Sequence, residues 1–598
     1  MLLALILWTF LPGNAADANV DVWCGTQLGE VSPLLFGSGD EMDEEFLPFD
    51  ELTALVDLTG VTMLRMGGIQ NEYYDWEGND YNGTRYIDAI DTLIIVQNVQ
   101  TSMDHFLQLC EAAQLEPVLS VNFQLDDPDK AARFVEYCNG DASTPMGQVR
   151  VLRGHPEPYD VTYWEIGNEP DISGVELPVA GYTWTLYRHY GIPFDQWHWS
   201  DSSFVTPAQY AQLADEYADA MRAASPIPLQ VATISLAGDI AWLKETVQTC
   251  SGNTDWVDLH YYPAGTWDPT PPDTSDYIEW LMSIDTGPTA FEPWYAAMRD
   301  SVTSYNGGVP LPTCVMEYNA IVVNPDLVWW NYVDGLFVAD CMGHLARMGC
   351  PVACSYSIYE GEPGDPNAPF GMIRGDTLSM RTAAWVTLLW SQYLDGTVVE
   401  ATSDATGGGY GLEVHAALRE DGRLCLIAVN KHLTQDYDTE ITLHGFTSSG
   451  YAQLMDITND APIAAPCNGT TGIQYKGGIW GTPTSFEYTF PKASVTCLLI
   501  HPEGSGAGGG TAGPFRMELR PVPADGVVSV TLELTGPSRV RLRLYDCAGR
   551  LRATILDCEL GAGQSTRQWD GTGLPSGTYL LRADSDGVPV AARKITLI

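Results

Sequence analysis

Between residues 31 and 390 the chain alternates short apolar runs with longer amphipathic stretches, and this repeat constrains the fold more than any other feature. Short strands separated by helical stretches imply a parallel sheet with crossover helices. The runs at 34–36, 63–66, 117–121, 163–166, 229–233, 256–260, 313–316 and 353–358 predict eight strands, and stretches such as 206–224 and 330–348 predict helices between them. Eight such repeats in this length fit an α/β architecture, a (β/α)8 TIM barrel with insertions. A doubly wound sheet is the competing arrangement, but no Gly-rich phosphate loop follows the first strand.

Past Asp395 the helical pattern gives way to alternating strands, as in GLEVHAAL at 411–418, LCLIAVN at 424–430 and TEITL at 439–443. That pattern predicts an antiparallel β-sandwich, to which the stretch at 19–23 can add a strand. A Gly-rich stretch at 501–514 reads as a flexible linker. The remainder, 515–598, carries eleven basic against nine acidic residues, whereas the whole chain has 29 Lys+Arg against 77 Asp+Glu. This step in charge marks a separate module, and turn residues about every ten positions between alternating strands predict an Ig-like β-sandwich. The expected division is thus a signal peptide at 1–18, the catalytic barrel at 19–394, the sandwich at 395–500, the linker at 501–514 and the Ig-like domain at 515–598.

A net charge of −48 repels nucleic acid, anionic lipid and polyuronate, so a neutral partner is favoured. The apolar run MLLALILWTFL at 1–11, followed by Pro12-Gly13 and small residues at 15, 16 and 18, reads as a secretory leader. It is far too short to cross a bilayer, and no other run is long enough, so a secreted or cell-surface bacterial protein without a membrane span is expected. Thirteen Cys occur with no C-x-x-C pair and no His-Cys cluster at zinc spacing, so neither a structural metal nor another cofactor is implied. An odd count leaves at least one free thiol. Several Cys sit in apolar runs as small hydrophobes, while Cys547 and Cys558 flank a predicted hairpin and are a candidate bridge.

The chemistry is concentrated in two strand ends. YWEIGNEPD at 163–171 carries Glu169 directly after an apolar strand, and CVMEYN at 314–319 does the same with Glu317. On the strand count these end barrel strands four and seven, at the C-terminal mouth where such barrels assemble their sites. A lone Glu after a strand is ordinarily a solvated loop residue or a helix cap. Two at one mouth suit glycoside hydrolysis, in which one carboxyl protonates the departing oxygen and the other attacks the anomeric carbon. Mutual repulsion keeps one of them protonated near neutral pH.

At these motifs, and over about 31–501, the chain resembles glycoside hydrolases of the clan with catalytic Glu on strands four and seven, and within it the family 51 α-L-arabinofuranosidases and their endoglucanase relatives. The resemblance makes Glu169 the acid/base, Glu317 the nucleophile and Asn168 a ligand of the sugar 2-hydroxyl. LRMGG at 64–68 and YDWEG at 74–78 resemble the second-strand segments, so Arg65 is expected to hold the nucleophile ionised, although Ile69-Gln70 stand where the family has a sugar-binding Asn. HYY at 260–262 resembles the family's His-x-Tyr, which assigns Tyr262 to the nucleophile and brings in His260. Glu41, in an acidic loop after the first strand, matches a sugar-hydroxyl ligand. Trp197, Trp199, Trp329 and Trp330 are candidate stacking platforms for sugar faces. A plant cell-wall polysaccharide is the implied substrate, by α-L-arabinofuranosidase action or, alternatively, as an endo-β-1,4-glucanase. A non-catalytic surface carbohydrate-binding protein is the alternative of another class. The string at 515–598 resembles the Ig-like domains of flagellar-hook-cap-like proteins and of type nine secretion cargo, which implies contact with secretion machinery or the cell surface.

Overall fold

The computed structural model describes residues 17–40, 49–68, 75–77, 84–87, 93–96, 103–123, 126–172, 177–179, 182–184, 206–236, 238–263, 290–320, 332–360, 371–374, 379–405, 411–459 and 472–503, and in the C-terminal part 516–520, 527–534, 538–546, 551–561, 563–574, 577–585 and 588–597. The apolar run of the expected leader, Glu41, residues 69–74, the four candidate platform tryptophans and most of the linker lie outside these residues.

Eight parallel strands close into a barrel: Gly37–Asp40, Met63–Met66, Glu116–Val121, Tyr163–Ile166, Gln230–Leu236, Trp256–Tyr261, Thr313–Tyr318 and Ala353–Ser355, hydrogen-bonded in chain order with the eighth paired to the first. Seven of these overlap the runs expected from the sequence. The first strand does not, because Leu35 and Phe36 are spent on the outer core and residues 33–36 form a turn. The strand starts only at Gly37. A Cβ there would meet Cys354 Sγ at 2.5 Å, so glycine lets the first strand approach the eighth closely enough to close the ring.

The helices pack outside the barrel on Leu, Val and aromatic side chains. The helix expected at 206–224 is Pro207–Ala224, with Thr206 as its N-cap in a reciprocal capping box with Gln209. The one expected at 330–348 is Tyr332–Arg347. Among the described residues no helix is long and apolar enough to cross a membrane.

The β-rich part is one continuous nine-stranded sheet, curled so that its two wings enclose a core that includes Val20, Val22, Leu426, Ile441, Phe486 and Leu498. It is not purely antiparallel. The strand Ala18–Glu30 lies inside the sheet, antiparallel to Thr397–Ser403 and parallel to Tyr437–His444. The outer face of one wing, with Ile427, Met455, Ile457 and Leu499, joins the same core as the Tyr332–Arg347 and Thr382–Tyr393 helices. A buried ion pair crosses this seam, Lys431 Nζ to Asp340 Oδ2 at 2.9 Å. Gly343 on the same helix leaves room for the His415 ring, which a Cβ would meet at 2.2 Å.

The C-terminal part forms a three-stranded and a four-stranded sheet around a core that includes Val528, Val530, Leu542, Leu544 and Leu581. Cys558 carries a free thiol, and Cys547, its candidate partner in a bridge, lies outside the described residues. The other described cysteines are all buried and unbridged.

Candidate active site

The barrel interior changes character from bottom to mouth. Its lower end is plugged by Met63, Val118, Ala232, Trp256, Cys314 and Cys354. Above this plug the strands turn charged groups inward: Arg65 from strand two, Glu165 from strand four and Asp258 from strand six, each at most 1% exposed. Burying such charges is tolerable only where they pair with one another. Arg65 Nε lies 3.0 and 2.8 Å from the two Glu165 oxygens, Nη1 donates to Glu317 Oε1 at 2.6 Å and Nη2 to Asn168 Oδ1 at 2.9 Å. Burial opposes the guanidinium charge, but the Glu165, Glu317 and Asp258 carboxylates outweigh it and hold Arg65 firmly protonated. Gly67 permits this fan, since a Cβ there would sit 2.4 Å from Arg65 Cζ.

Past Ile166, strand four leaves the sheet through Gly167 at φ 76° and Glu169 at φ 45°. The left-handed region is costly for a non-glycine residue, about 1–3 kcal/mol, and persists only where the surroundings enforce it. Here Gly167 N–H donates to the Val121 carbonyl at 3.0 Å, and Ser120 Oγ donates to the Gly167 carbonyl at 3.1 Å. Beyond the turn, Asp171 accepts from the Gly238 and Asp239 amides at 2.8 and 2.9 Å, tying it to the end of strand five. The result aims the Glu169 side chain over the mouth.

Glu317 is aimed by a different device. Strict alternation along strand seven puts Cys314 and Met316 inside and would turn Glu317 outward. The ladder with strand six slips between Leu259↔Val315 and His260↔Glu317, leaving Met316 as an extra residue. A bulge of this kind re-aims the following side chain. The Met316 amide, displaced from the ladder, donates to Asp258 Oδ1 at 3.1 Å. Glu317 then receives Arg65 on Oε1 and the Tyr262 hydroxyl on Oε2 at 2.8 Å.

Between the two carboxylates stands His260. Its Nδ1 is 2.7 Å from Glu169 Oε1 and 3.4 Å from Glu317 Oε2, and its Nε2 is 3.2 Å from Asp258 Oδ2 and 3.0 Å from Ser235 Oγ. Burial disfavours the imidazolium, yet the Glu317 and Asp258 charges and the hydrogen bonds to Asp258 and Glu169 raise its pKa well above the ordinary value. For Glu169, burial is the largest influence and pushes the carboxyl up, with the Glu317 charge adding to it against the pull of His260.

Donor atoms of Glu169, His260 and Glu317 lie within 4.8 Å of one another. Arg65, Tyr262 and the histidine already serve these oxygens, so the cluster is built to hold protons and carboxylates in place. A separation this small is that of a double-displacement pair, about 5 Å, and leaves no room for the water an inverting pair places between them.

Of the residues singled out in the sequence, Glu169, Glu317, Asn168, Arg65, Tyr262 and His260 converge here. Asn168 Oδ1 is occupied by Arg65 Nη2 and, at 3.2 Å, by the Gly68 amide. Trp76, within the expected second-strand segment, is core, stacked on Phe134 with ring centroids 4.8 Å apart. Glu165, Asp258 and Ser235 are site residues that the motifs alone do not reveal. Period-two reading of YWEI and WVDLHY places Glu165, Asp258 and His260 on the inward face, which is the signal that finds the two acids.

A paired-carboxylate mouth on a (β/α)8 barrel, backed by a buried Arg, defines a glycoside hydrolase. The family profile described as "Alpha-L-arabinofuranosidase 1 domain" matches residues 59–277. A probable α-L-arabinofuranosidase C of Aspergillus terreus is 26% identical over 453 residues, 67% of this chain and 77% of that protein. α-L-Arabinofuranosidase C of Emericella nidulans is 24% identical over 504 residues, 76% of this chain and 88% of its own length. The solved α-L-arabinofuranosidase of Thermotoga maritima, in its arabinose complex, superposes with a TM-score of 0.62 at 19% identity, covering 81% of this chain and all of that one. The likeness is thus to α-L-arabinofuranosidases, by the family profile over residues 59–277 and by the Aspergillus terreus relative over 67% of the chain.

Proposed function

We propose that the protein is an exported, retaining α-L-arabinofuranosidase acting on neutral plant cell-wall polysaccharide, with Glu317 as nucleophile and Glu169 as general acid and then base. The observation that carries this reading is the opposed setting of the two carboxyls, with oxygens within 4.8 Å of one another. Glu317 receives a guanidinium and a phenol, which stabilise it as the ionised attacker. Among the described residues Glu169 has no Arg or Lys partner of this kind and is pushed up by burial, so it retains the proton that a leaving oxygen needs.

In the first step a Glu317 oxygen attacks the anomeric carbon as its bond to the leaving oxygen breaks, and that oxygen takes the Glu169 proton. In the second, Glu169 removes a proton from water, which displaces Glu317 and restores the starting anomer. Asn168 is held by Arg65 through its oxygen, which presents the amide nitrogen side to a sugar hydroxyl. Export rests on the apolar run at 1–11. Ala18 opens the first strand of the sheet and is buried, which supports a leader that ends before it. Residues 515–598, with their own core and opposite charge balance, serve as a sorting or anchoring module.

The test is product analysis after incubating the purified chain with arabinan, arabinoxylan, β-glucan, xyloglucan and xylan, beside Glu317→Ala. Free arabinose of retained configuration, absent with the variant, is the expected result. A ladder of glucan or xylan oligosaccharides would move the activity to endo-glycanase. Polymer binding without any product would favour a binding protein.

A further inference from the structure

His260 is faced by acids on both edges of its ring, Glu169 and Glu317 at Nδ1 and Asp258 at Nε2. The other charged or titratable groups around it are Tyr262 and Arg65, which reach Glu317, and Glu165, which is paired with Arg65. A ring nitrogen aimed at a carboxylate is served best by a proton, and here both nitrogens are so aimed. Asp258 makes the lower contact from the same strand, two residues below. Its other oxygen accepts the Met316 amide at the bulge that aims Glu317. One buried carboxylate is thereby tied both to the histidine and to the backbone that presents the second reactive acid.

We propose that Asp258 is a positioning residue that keeps His260 doubly protonated, so that a single imidazolium serves the Glu317 carboxylate before glycosyl transfer and the Glu169 carboxylate after it. This rests on the roles assigned above to Glu169 and Glu317. When Glu317 becomes a neutral ester and Glu169 has given up its proton, the negative charge has crossed the mouth. The Nδ1 proton, 2.7 Å from one acid and 3.4 Å from the other, needs only a small shift to follow it. Asp258 stays ionised beneath the ring throughout and supplies the counter-charge at both stages.

The variant Asp258→Asn separates the two ties, because its amide oxygen can still accept the Met316 N–H while the charge below the ring is gone. Removing an Asp⁻/His⁺ pair leaves net charge unchanged but takes the nearer, positive member away from Glu169. The basic limb of the pH–rate profile should then move up by about one unit, the scale of losing one adjacent charge. The decisive readout needs no turnover. In full-length protein carrying ¹³Cε1-labelled histidine, with the His260 signal assigned by its loss in His260→Gln, His260 should remain imidazolium well above the ordinary histidine range in the wild type and titrate at least about one unit lower in Asp258→Asn. A wild-type His260 titrating near the ordinary ~6.5, or an Asp258→Asn enzyme whose rate falls uniformly with neither profile nor titration displaced, overturns the proposal. A wild type that hydrolyses no glycan while His260 stays protonated would instead overturn the functional assignment.

Discussion

The Tyr262→Phe substitution removes one hydroxyl and leaves the ring. Its hydrogen bond to Glu317 Oε2, 2.8 Å long and part-buried, is charge-assisted, and such bonds contribute about 1.5–3 kcal/mol. With roughly 1.4 kcal/mol per factor of ten, the loss corresponds to about 10- to 150-fold in rate. The location of that loss is also fixed. During attack Glu317 gives up charge, so a donor on it is weaker in the transition state than before it. During hydrolysis of the glycosyl-enzyme Glu317 departs as a carboxylate, and the donor strengthens as charge returns. The substitution should therefore slow the second step, with kcat and KM falling together while kcat/KM stays within a few-fold. Stopped-flow mixing with a nitrophenyl α-L-arabinofuranoside should show a burst approaching one product per enzyme. A fall in kcat/KM matching that in kcat, without a burst, would refute this account of the hydroxyl.

Other outcomes follow from the same structure. Glu169→Ala should lose most activity on glycans with poor leaving groups, lose far less of the first step on an activated aryl glycoside, and recover turnover with added azide; kinetics on both substrates check this. Because burial and Glu317 raise the Glu169 carboxyl, activity that needs its proton should persist above the usual Glu range near ~4.3 and fall as pH rises through the raised value, which a kcat/KM profile reads. Lys431→Met leaves Asp340 buried without its ammonium and should destabilise the barrel–sheet unit by about 3–5 kcal/mol in denaturant titration, whereas an unchanged midpoint would mean that water reaches the pair. Gly343→Ala gains about 1 kcal/mol of helix propensity but presses a methyl into the His415 ring, so a net loss of Tm is expected, and a gain would show that the ring can move aside.

The sequence carries the barrel plainly because each strand is an apolar run short enough to be nothing else, and the two acids stand where such runs end. Placing the first strand at 34–36 fails for a physical reason. Apolar side chains mark burial, and Leu35 and Phe36 are buried in the outer core, while the pairing segment begins with a glycine that allows close approach. Glu317 is legible through its neighbourhood and family likeness, since alternation alone turns it outward and the bulge that corrects it leaves no mark in composition. Glu165 and Asp258 are visible by alternation. They are easily passed over, because a charged residue in a strand invites a solvent-facing reading until a buried Arg is placed opposite it. Nothing local distinguishes the strand Ala18–Glu30 as the parallel partner of the distant Tyr437–His444.

That strand gives the molecule a temporal order. The Asn19 amide donates to Asp404 at 2.6 Å across 385 residues, with the whole barrel sequence between them. At synthesis rates of about 5–20 residues per second, the first strand waits roughly 20–80 s for the partner beside it. The barrel can close in that interval, but the sheet cannot. An unpaired strand held out for so long is an invitation to join the wrong chain. The polar positions at its start, Asn19 and Asp21, guard it less well than sequestration would. A nascent chain of this topology therefore has reason to be kept unfolded until all of it is available, a condition that export before folding would meet.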